Sequence, residues 1–507
     1  MQSFPRVQIP ASCLFIVLFA ALTARGAPPA SPQTVNDLMA APEAADPVGE
    51  ITLREAMALA LQRNPALAAF EWDLRAAEAR ELQASLYPNP ELTLSIEEIR
   101  WAGGSESISE TLSMSALGPS VGVERSRDQG AHSGFAEAEF TLELSQTFLL
   151  GKKIAKRRAL AQADKALVDW DYRIARLNVL SEVSSAFIVV LNCQARVELA
   201  KELLALAKQV HAVVQARVEA GKVSPIDLTK ADIALTSAQV AFEQARHRLE
   251  SARLALAATW GAEEARFESA WGKCDCMVPV PDLAWLEEQL AENPELKRWM
   301  AELDRREAAL RIERANRLPD ITATLGLRAR GLADQGGELR TVGTEPSLGL
   351  SRTRTHFDED KDTSLVMGLS LPLPVFDRNQ GAIREAEAYV SKTADERRAT
   401  EVNVRTALRR AYKSLQSTHR EAGEIRASIL PKAQEVFTLT EEGYRQGKFG
   451  YIEVLDAQRT LFDVRTRLLG ATEAYHLAEV EVERLIGQPL SCLFHAWSSQ
   501  DPEEEEP

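Results

Sequence analysis

The chain has 507 residues, a formal net charge of −15 at pH 7 and a hydrophobic content of 45%. Its length exceeds that of one average domain, so more than one structural unit is expected. The negative charge argues against a nucleic-acid partner, because binding to a phosphate backbone requires a basic surface. Beyond the first 26 residues the sequence has no run of about 18 apolar residues, which argues against a helical inner-membrane protein.

The N-terminus has the features of a secretory signal peptide. Arg6 precedes an apolar run at residues 13–22, and the small residues Ala24 and Gly26 follow at the positions that a signal peptidase reads. The run is about half as long as a membrane-spanning helix. We therefore expect residues 1–26 to be removed and the mature chain to be exported.

The mature chain contains one sequence pattern twice. After an N-terminal extension at residues 27–50, the first repeat covers residues 51–261 and the second covers 282–487. A linker at 262–281 joins them, and an acidic tail follows at 488–507. Internal duplication of this kind predicts two copies of one structural unit.

Short motifs recur in the same order in both repeats. Asn64-Pro65 near the start of the first repeat corresponds to Asn293-Pro294 in the second, and Gly221-Lys222 corresponds to Gly447-Lys448. The Asn-Pro pairs predict breaks between helices, since proline ends a helix that precedes it. Each repeat is thus expected to contain a helix, two strands, a very long helix, a tight turn and a returning helix.

The longest predicted elements are two helices. Residues 154–219 show helical periodicity without a proline, and residues 381–446 repeat the pattern, interrupted only at Pro431. At 1.5 Å per residue, each rod is roughly 100 Å long. Helices of this length belong to coiled coils or helical tubes rather than to ordinary domains.

Apolar and polar residues alternate in four further segments, which begin near Leu92, Phe140, Ile321 and Leu365. The residues between the strands of each pair are rich in Gly, Ser, Glu and Arg and predict long exposed loops. Such strands fit either a half-buried sheet of a soluble domain or a transmembrane β-barrel. Four strands are too few to close a membrane barrel, so the second interpretation requires three copies with twelve strands or four copies with sixteen.

A motif at residues 371–381, Leu-Pro-Leu-Pro-Val-Phe-Asp-Arg-Asn-Gln-Gly, follows the last strand. Together with the doubled unit, the Asn-Pro pairs and the Gly-Lys turns, it resembles the TolC-type outer-membrane factors, most closely their CzcC-like branch, which serves heavy-metal efflux pumps. The resemblance covers residues 50–490. It implies an α+β membrane protein: a homotrimer whose outer-membrane β-barrel, four strands per chain, continues as a long periplasmic α-helical barrel.

The same resemblance implies a function and partners. The expected protein is a passive exit duct for cations of the cobalt, zinc, cadmium and nickel type, in contact with outer-membrane lipid. It would act with a periplasmic adaptor, also called a membrane-fusion protein, and with a proton-driven inner-membrane transporter of the RND type. Two alternatives remain at this point: the same fold exporting organic drugs, and a periplasmic coiled-coil scaffold with soluble strands.

Acidic residues follow the two tight turns. Asp227 lies in the first repeat, and Glu453 and Asp456 lie in the second. In three copies around an axis these carboxylates would form rings that attract cations. The resemblance places a periplasmic gate at these positions, with Tyr444 as a neighbouring latch. Asp227 has a second interpretation, in which it only caps the returning helix.

The turns themselves are candidate contacts for the adaptor. Gly221 and Gly447 are explained by the left-handed backbone that commonly ends a helix. Phe449 stands where drug-exporting relatives use a basic residue in the closed latch, so the locking of this gate is expected to differ. The candidate contact residues are Gly221, Lys222, Ser224, Gly447, Lys448, Phe449 and Tyr451.

Chemistry of the enzymatic kind is not predicted. The sequence shows no nucleophile–base set, phosphate-binding loop or metal-ligand spacing, so we assign no catalytic residue, cofactor or tightly bound metal. In an oxidising compartment, Cys274 or Cys276 is a candidate for a disulfide with Cys492.

Overall fold

The computed structural model describes residues 46–97, 109–115, 118–124, 139–221, 223–272, 276–330 and 362–490, with backbone alone for 109–115 and 118–124. Contacts divide the chain after Val48, and every element below belongs to the unit that starts at Gly49. The predicted signal peptide, most of the acidic tail, Lys222, Cys274 and Cys492 lie outside the described residues.

Helices make up most of this unit. They are α1 (Leu53–Arg63), α2 (Pro65–Ser85), α3 (Lys153–Glu219), α4 (Pro225–Ala258), α5 (Leu283–Gln289), α6 (Pro294–Asn316), α7 (Gln380–Glu424), α8 (Leu430–Arg445) and α9 (Tyr451–Ile486). The strands are β1 (Gly49–Ile51), β2 (Glu91–Glu97), β3 (Ser109–Ser115), β4 (Gly118–Glu124), β5 (Glu139–Phe148), β6 (Phe267–Ala270), β7 (Ile321–Arg330) and β8 (Asp362–Ser370).

The four strands predicted by alternation form one antiparallel sheet in the order β2-β5-β7-β8. Its register aligns side chains in rows across the sheet. A row on one face consists of Leu92, Leu144, Leu325 and Met367, each at least 43% exposed. The neighbouring row on the opposite face consists of Thr93, Glu143, Gly326 and Val366. One face is therefore apolar and uncovered by the chain, as in a sheet that faces lipid.

Both outer strands of this sheet are open in the single chain. Each of β2 and β8 has a sheet neighbour on one side alone, within the part of the chain that the structure describes. Unpaired backbone N–H and C=O groups cost several kcal/mol each in hydrocarbon, so a sheet in a bilayer must pair its edges. The sheet is consequently one part of a larger closed structure.

Residues 98–138 were expected to be a long exposed loop, and this expectation was incomplete. Strands β3 and β4 pair in register as an antiparallel hairpin inside it. The two strands contain many Gly and Ser residues, so the alternation of apolar and polar side chains in them is too weak to recognise. Small strands β1 and β6, which pair in parallel, were also missed because each has at most four residues.

The predicted first rod is the 67-residue helix α3. Near the sheet it packs against α2 and α6, where ion pairs join Lys165 to Glu78 at 3.1 Å and Arg298 to Asp171. Farther along it packs against α4 and α9, where Asn192 Nδ2 donates to the Leu469 carbonyl at 2.6 Å. The two halves of α3 thus have different neighbours, and the helix joins them into one wall.

By length and composition α3 also qualifies as a helix able to cross a membrane. The most apolar part of α3, however, lies in the core of the structure. Val183, Phe187 and Val190 are fully buried there in a core that includes Ile51 and Leu256. Its apolar character is explained by this packing.

The second rod is interrupted at the predicted place. Helices α7 and α8 are joined by five residues of π-helix, Ile425–Ile429, directly before Pro431. Proline has no N–H to donate and its ring clashes with the carbonyl four residues earlier, and a π turn relieves that clash. The first repeat has no such interruption, because α3 lacks a proline.

The Asn-Pro motif turns out to be a joint between helices. Asn64 Oδ1 accepts hydrogen bonds from the backbone N–H groups of Ala66 and Leu67 at 2.9 and 3.1 Å, so it caps α2. Its Nδ2 donates to the carbonyl of Thr259 at 2.8 Å, at the end of α4. One buried amide therefore holds the start of α2 against the end of α4.

The second repeat contains the same joint. Asn293 Oδ1 accepts from the Leu296 N–H at 3.0 Å, and its Nδ2 donates to the Leu485 carbonyl at 2.6 Å in the last turn of α9. Gly487 follows with φ +72°, and a Cβ there would lie 3.3 Å from the Pro294 ring. The joint thereby connects α2 to the end of α4 in the first repeat and α6 to the end of α9 in the second.

The last turn of α9 also buries a carboxyl group. Glu483 Oε1 accepts a hydrogen bond from the Leu490 N–H at 2.7 Å. Burial raises the pKa of Glu483 to about 8, with a further contribution from Glu479 and against the effect of that hydrogen bond. The neighbouring pair His476 and Glu479 is buried as well, with Nδ1 and Oε2 3.1 Å apart.

We expect the free energy of unfolding to fall as the pH rises from about 4.5 to about 8 because of Glu483. In this window the folded state keeps a proton that the unfolded state has released, so this stability is complete below the lower value and lost above the upper one. The loss is on the order of 3–5 kcal/mol per chain. In detergent solution, Glu483→Gln should raise Tm at about pH 8.5 and change it little at about pH 5. Glu481→Gln, on the exposed face of α9, is the control, and an equal effect of both would contradict the assignment.

Candidate functional site

The two predicted turns lie at the ends of the long helices opposite the sheet. Helix α3 starts five residues after β5 and extends about 100 Å to the first turn, at 1.5 Å per residue. Gly221 and Gly447 adopt left-handed φ angles of +65° and +76°, as predicted for these positions. The Lys448 N–H donates to the Gly443 carbonyl at 2.8 Å and closes the end of α8.

Ser224, a predicted adaptor contact, caps the returning helix α4. Its Oγ accepts a hydrogen bond from the Ile226 N–H at 3.3 Å, and the residue is exposed. The N-cap position belongs to Ser224, and Asp227 lies three residues further on, in the first turn of α4, where its negative charge is favourable to the helix dipole. In the second repeat Gly450 takes the capping position without a side-chain bond, and α9 begins at Tyr451, whose side chain is not described.

The acidic residues at the two turns differ in their local partners. Asp227 Oδ1 lies 3.7 Å from Lys230 Nζ and its side chain is 23% exposed. Glu453 and Asp456 are exposed, and among the described residues neither forms an ion pair. In the repeat alignment Asp456 corresponds to Lys230, so the second repeat has an acid where the first has the compensating cation. Uncompensated negative charge is therefore concentrated on the second repeat.

Tyr444 connects the two repeats. The guanidinium carbon of Arg217, in the last turn of α3, lies 4.3 Å above the centroid of its ring, within the range of a cation–π contact. The ring also packs beside the buried Val214 and Ala231 of the first repeat. The predicted latch residue thus contacts α3 and α4 within its own chain.

Phe449 is partly exposed and folds back onto α8. A Cβ at Gly443 would lie 2.2 Å from a ring carbon of Phe449, so only glycine at 443 admits the aromatic ring against the helix backbone. This apolar contact occupies the place where a basic latch residue was expected in drug-exporting relatives. Sequence reasoning missed Gly443, Arg217 and Lys230; the repeat alignment was the available signal for Lys230.

The exposed groups at the second turn are mostly charged. Lys448, Phe449 and the acids at positions 453 and 456 are exposed together on one turn and the start of α9. Carboxylates crowded near a pore axis raise the local cation concentration without holding any ion tightly. Within the described residues no group of three or more His, Cys, Asp or Glu side chains is placed to hold a metal ion.

An apolar sheet with open edges, continued by helices about 100 Å long, defines a class: outer-membrane channels with a helical extension. The chain belongs to the outer membrane efflux protein family, whose model matches residues 56–262 and 285–488. The fold class, outer-membrane location and efflux function predicted from the sequence are confirmed by this membership and by the similarities that follow.

Two curated relatives come from Cupriavidus metallidurans. The cobalt-zinc-cadmium resistance protein CzcC is 30% identical over 440 residues, which cover 87% of this chain and 91% of that protein. The nickel and cobalt resistance protein CnrC is 27% identical over 343 residues, covering 67% and 66%. A solved structure of the transmembrane channel CusC is similar with a TM-score of 0.63 at 16% identity, covering 88% of this chain and 95% of that one.

Proposed function

We propose that this protein is the exit duct of a tripartite pump for heavy-metal cations. The assignment as a channel rests on the sheet, which in the described residues has one apolar face, one polar face and two unpaired edges. Three copies joined at those edges make twelve strands, enough to close a barrel with the polar face inside. The long helices of the same three copies would form the wall of a periplasmic tube.

The cargo and partners follow from similarity and electrostatics. CzcC, a relative that matches 87% of this chain and 91% of its own length, is named for resistance to cobalt, zinc and cadmium. A periplasmic adaptor would dock at the exposed turns around Gly221 and Gly447, and an inner-membrane transporter of the RND type would supply the energy. A duct with weak charged sites conducts cations better than one with tight binding sites.

Deleting the gene is expected to sensitise cells to cobalt, zinc, cadmium or nickel more than to lipophilic drugs. The reason is that loss of the duct leaves the pump without an exit, so its own cargo accumulates. Growth inhibition on graded metal and drug concentrations, with the wild-type gene restored as the control, measures this. Sensitivity to dyes and detergents with none to metals would favour the drug-exporting alternative.

The gate is proposed to lie at Asp227, Tyr444, Glu453 and Asp456. We expect the double variant Glu453→Gln/Asp456→Asn to reduce cation preference several-fold in single-channel recordings and to weaken block by multivalent cations. Asp227→Asn should have a smaller effect, because Lys230 already compensates that charge. The field acts locally, since salt screens it over roughly 8 to 10 Å.

Asp395→Asn provides a matched control for these recordings. It removes one carboxylate charge, as Asp227→Asn does, from an exposed site on α7 that is remote in sequence from both turns, and should leave selectivity unchanged. Unchanged reversal potentials in the double variant would place the constriction elsewhere. Folding should survive all of these changes, because Glu453, Asp456 and Asp395 are exposed and Asp227 is only partly buried.

A further inference from the structure

The connection between β8 and α7, residues 371–379, holds large apolar side chains out from the chain. We call it the edge loop. Leu373 is 74% exposed and Phe376 is 91% exposed. Exposed apolar patches of this kind mark interaction sites. The edge loop is part of the motif that supported the family resemblance, and the channel function described so far gives it no role.

Polar residues of the same motif fix the conformation of the edge loop. Asn379 Nδ2 donates to the Glu313 carbonyl of α6 at 2.9 Å, and the Asn379 N–H donates to Asp377 Oδ1 at 2.8 Å. Gln380 Nε2 donates to the Phe376 carbonyl at 3.1 Å. The backbone that carries Phe376 is thus tied to the helices on both sides. Phe376 is thus exposed on a loop of fixed conformation, and a preorganised surface loses little conformational freedom on binding.

The edge loop has no equivalent of its length in the first repeat. The corresponding connection from β5 to α3 has only four residues, 149–152. The strands that precede the two connections also differ in position: β5 is paired on both sides, whereas β8 is an outer strand. The longer, apolar connection therefore stands where another copy of the sheet would begin.

Within one chain, the short connection shows what such a loop packs against. A Cβ at Gly151 would lie 2.9 Å from Leu318 Cδ1 and 3.8 Å from Ala315 Cβ, in the segment that precedes β7. The repeat alignment relates that segment to the one that precedes β2. The corresponding contact of the edge loop is therefore with the segment before β2, and within one chain β2 lies at the opposite edge of the sheet.

The segment before β2 has an exposed apolar surface. Leu82, Leu86 and Tyr87 are 66%, 52% and 73% exposed. Their equivalents in the second repeat, which lie in the interior of the sheet order, are Arg311, Ala315 and Asn316. Lipid surrounds a closed barrel evenly and would favour apolar residues in both repeats. At these three positions the apolar residues occur at the free edge, and this asymmetry favours a neighbouring protein chain.

We propose that the edge loop of one copy docks on Leu82, Leu86 and Tyr87 of the next copy, forming a clasp below the barrel at each subunit boundary. This inference rests on the proposed ring of three chains, in which β8 of one copy runs antiparallel beside β2 of the next. Phe376 is the anchor of the clasp, as buried aromatic residues are in other interfaces. The docking partner is thus a second copy of this chain.

The test is site-specific cross-linking in outer membranes. The variant carries Phe376→Cys and Tyr87→Cys, with every other cysteine of the mature chain replaced by serine. A short bismaleimide should convert most of the protein into covalent dimers and trimers on a denaturing gel. The matched control pairs Phe376→Cys with Asn316→Cys, the equivalent of Tyr87 in the second repeat, and should stay monomeric on the gel.

Native mass measurement of the same detergent-solubilised variants separates two kinds of failure. A trimer in which the Phe376 and Tyr87 positions do not cross-link would overturn the clasp and leave the proposed channel intact. Quenching of a fluorophore on Phe376→Cys by brominated lipid, without cross-linking, would likewise overturn it and assign the surface to lipid. A particle other than a trimer would contradict the proposed assembly itself.

Discussion

Leu144→Arg is expected to prevent stable insertion of the channel, whereas Ser145→Arg on the same strand should be tolerated. Leu144 lies in the apolar row of the sheet, and Ser145 lies on the polar face beside Thr324. An arginine facing lipid near the middle of a membrane strand costs about 2–4 kcal/mol, hence about 6–12 kcal/mol in three copies. An arginine on the polar face points into the water-filled lumen and costs little.

The measurement is the amount of trimer in purified outer membranes and the temperature at which it dissociates in SDS. Both variants add the same side chain at adjacent positions, so differences in expression or charge cannot separate them. Equal loss in both variants would mean that the assignment of the two faces is wrong. It would then favour a soluble sheet with both faces packed.

Asn293→Ala should destabilise the helical part more than any single exposed cap. The amide of Asn293 caps α6 and also donates to the buried Leu485 carbonyl at the end of α9. Loss of a cap costs about 0.5–2 kcal/mol. An unpaired buried carbonyl adds about 1–3 kcal/mol, so the sum is about 1.5–5 kcal/mol per chain.

Thermal unfolding followed by the helical circular-dichroism signal checks this prediction. Ser224→Ala is the matched control, because Ser224 makes one capping bond at an exposed helix start and joins no second helix. Asn64→Ala should resemble Asn293→Ala, since it breaks the same joint in the first repeat. A shift in Tm for Asn293→Ala no larger than for Ser224→Ala would show that the bond to the Leu485 carbonyl contributes nothing.

Local sequence patterns predicted the long elements well, because their causes are local. A 67-residue helix without proline is visible in its periodicity, and Pro431 marks the single interruption of its counterpart. The four strands were visible as alternation, since one face of the sheet contacts lipid and the other water. The hairpin of β3 and β4 and the short strands β1 and β6 were too weakly patterned to be recognised.

The candidate site was only partly predictable for the same reason. The glycines of both turns were found because a left-handed residue after a helix is a local requirement. The ion pair of Asp227 with Lys230 spans one helical turn and was also within reach of the sequence. The contact of Tyr444 with Arg217 depends on how two helices meet, and the contact of Phe449 with Gly443 depends on the conformation of the turn; the sequence alone indicated neither.

The sequence by itself determined the duplicated unit, its long helices, the four strands of the main sheet and its family, because each depends on periodicity or on motifs within one segment. The tertiary structure alone decided which residues carry the joints and the free surfaces. Asn64 and Asn293 were predicted as helix breaks, and the structure shows that their amides donate to the carbonyls of Thr259 and Leu485, 195 and 192 residues away. Those bonds, and the exposure of Phe376, arise from the meeting of distant segments, which no local pattern encodes.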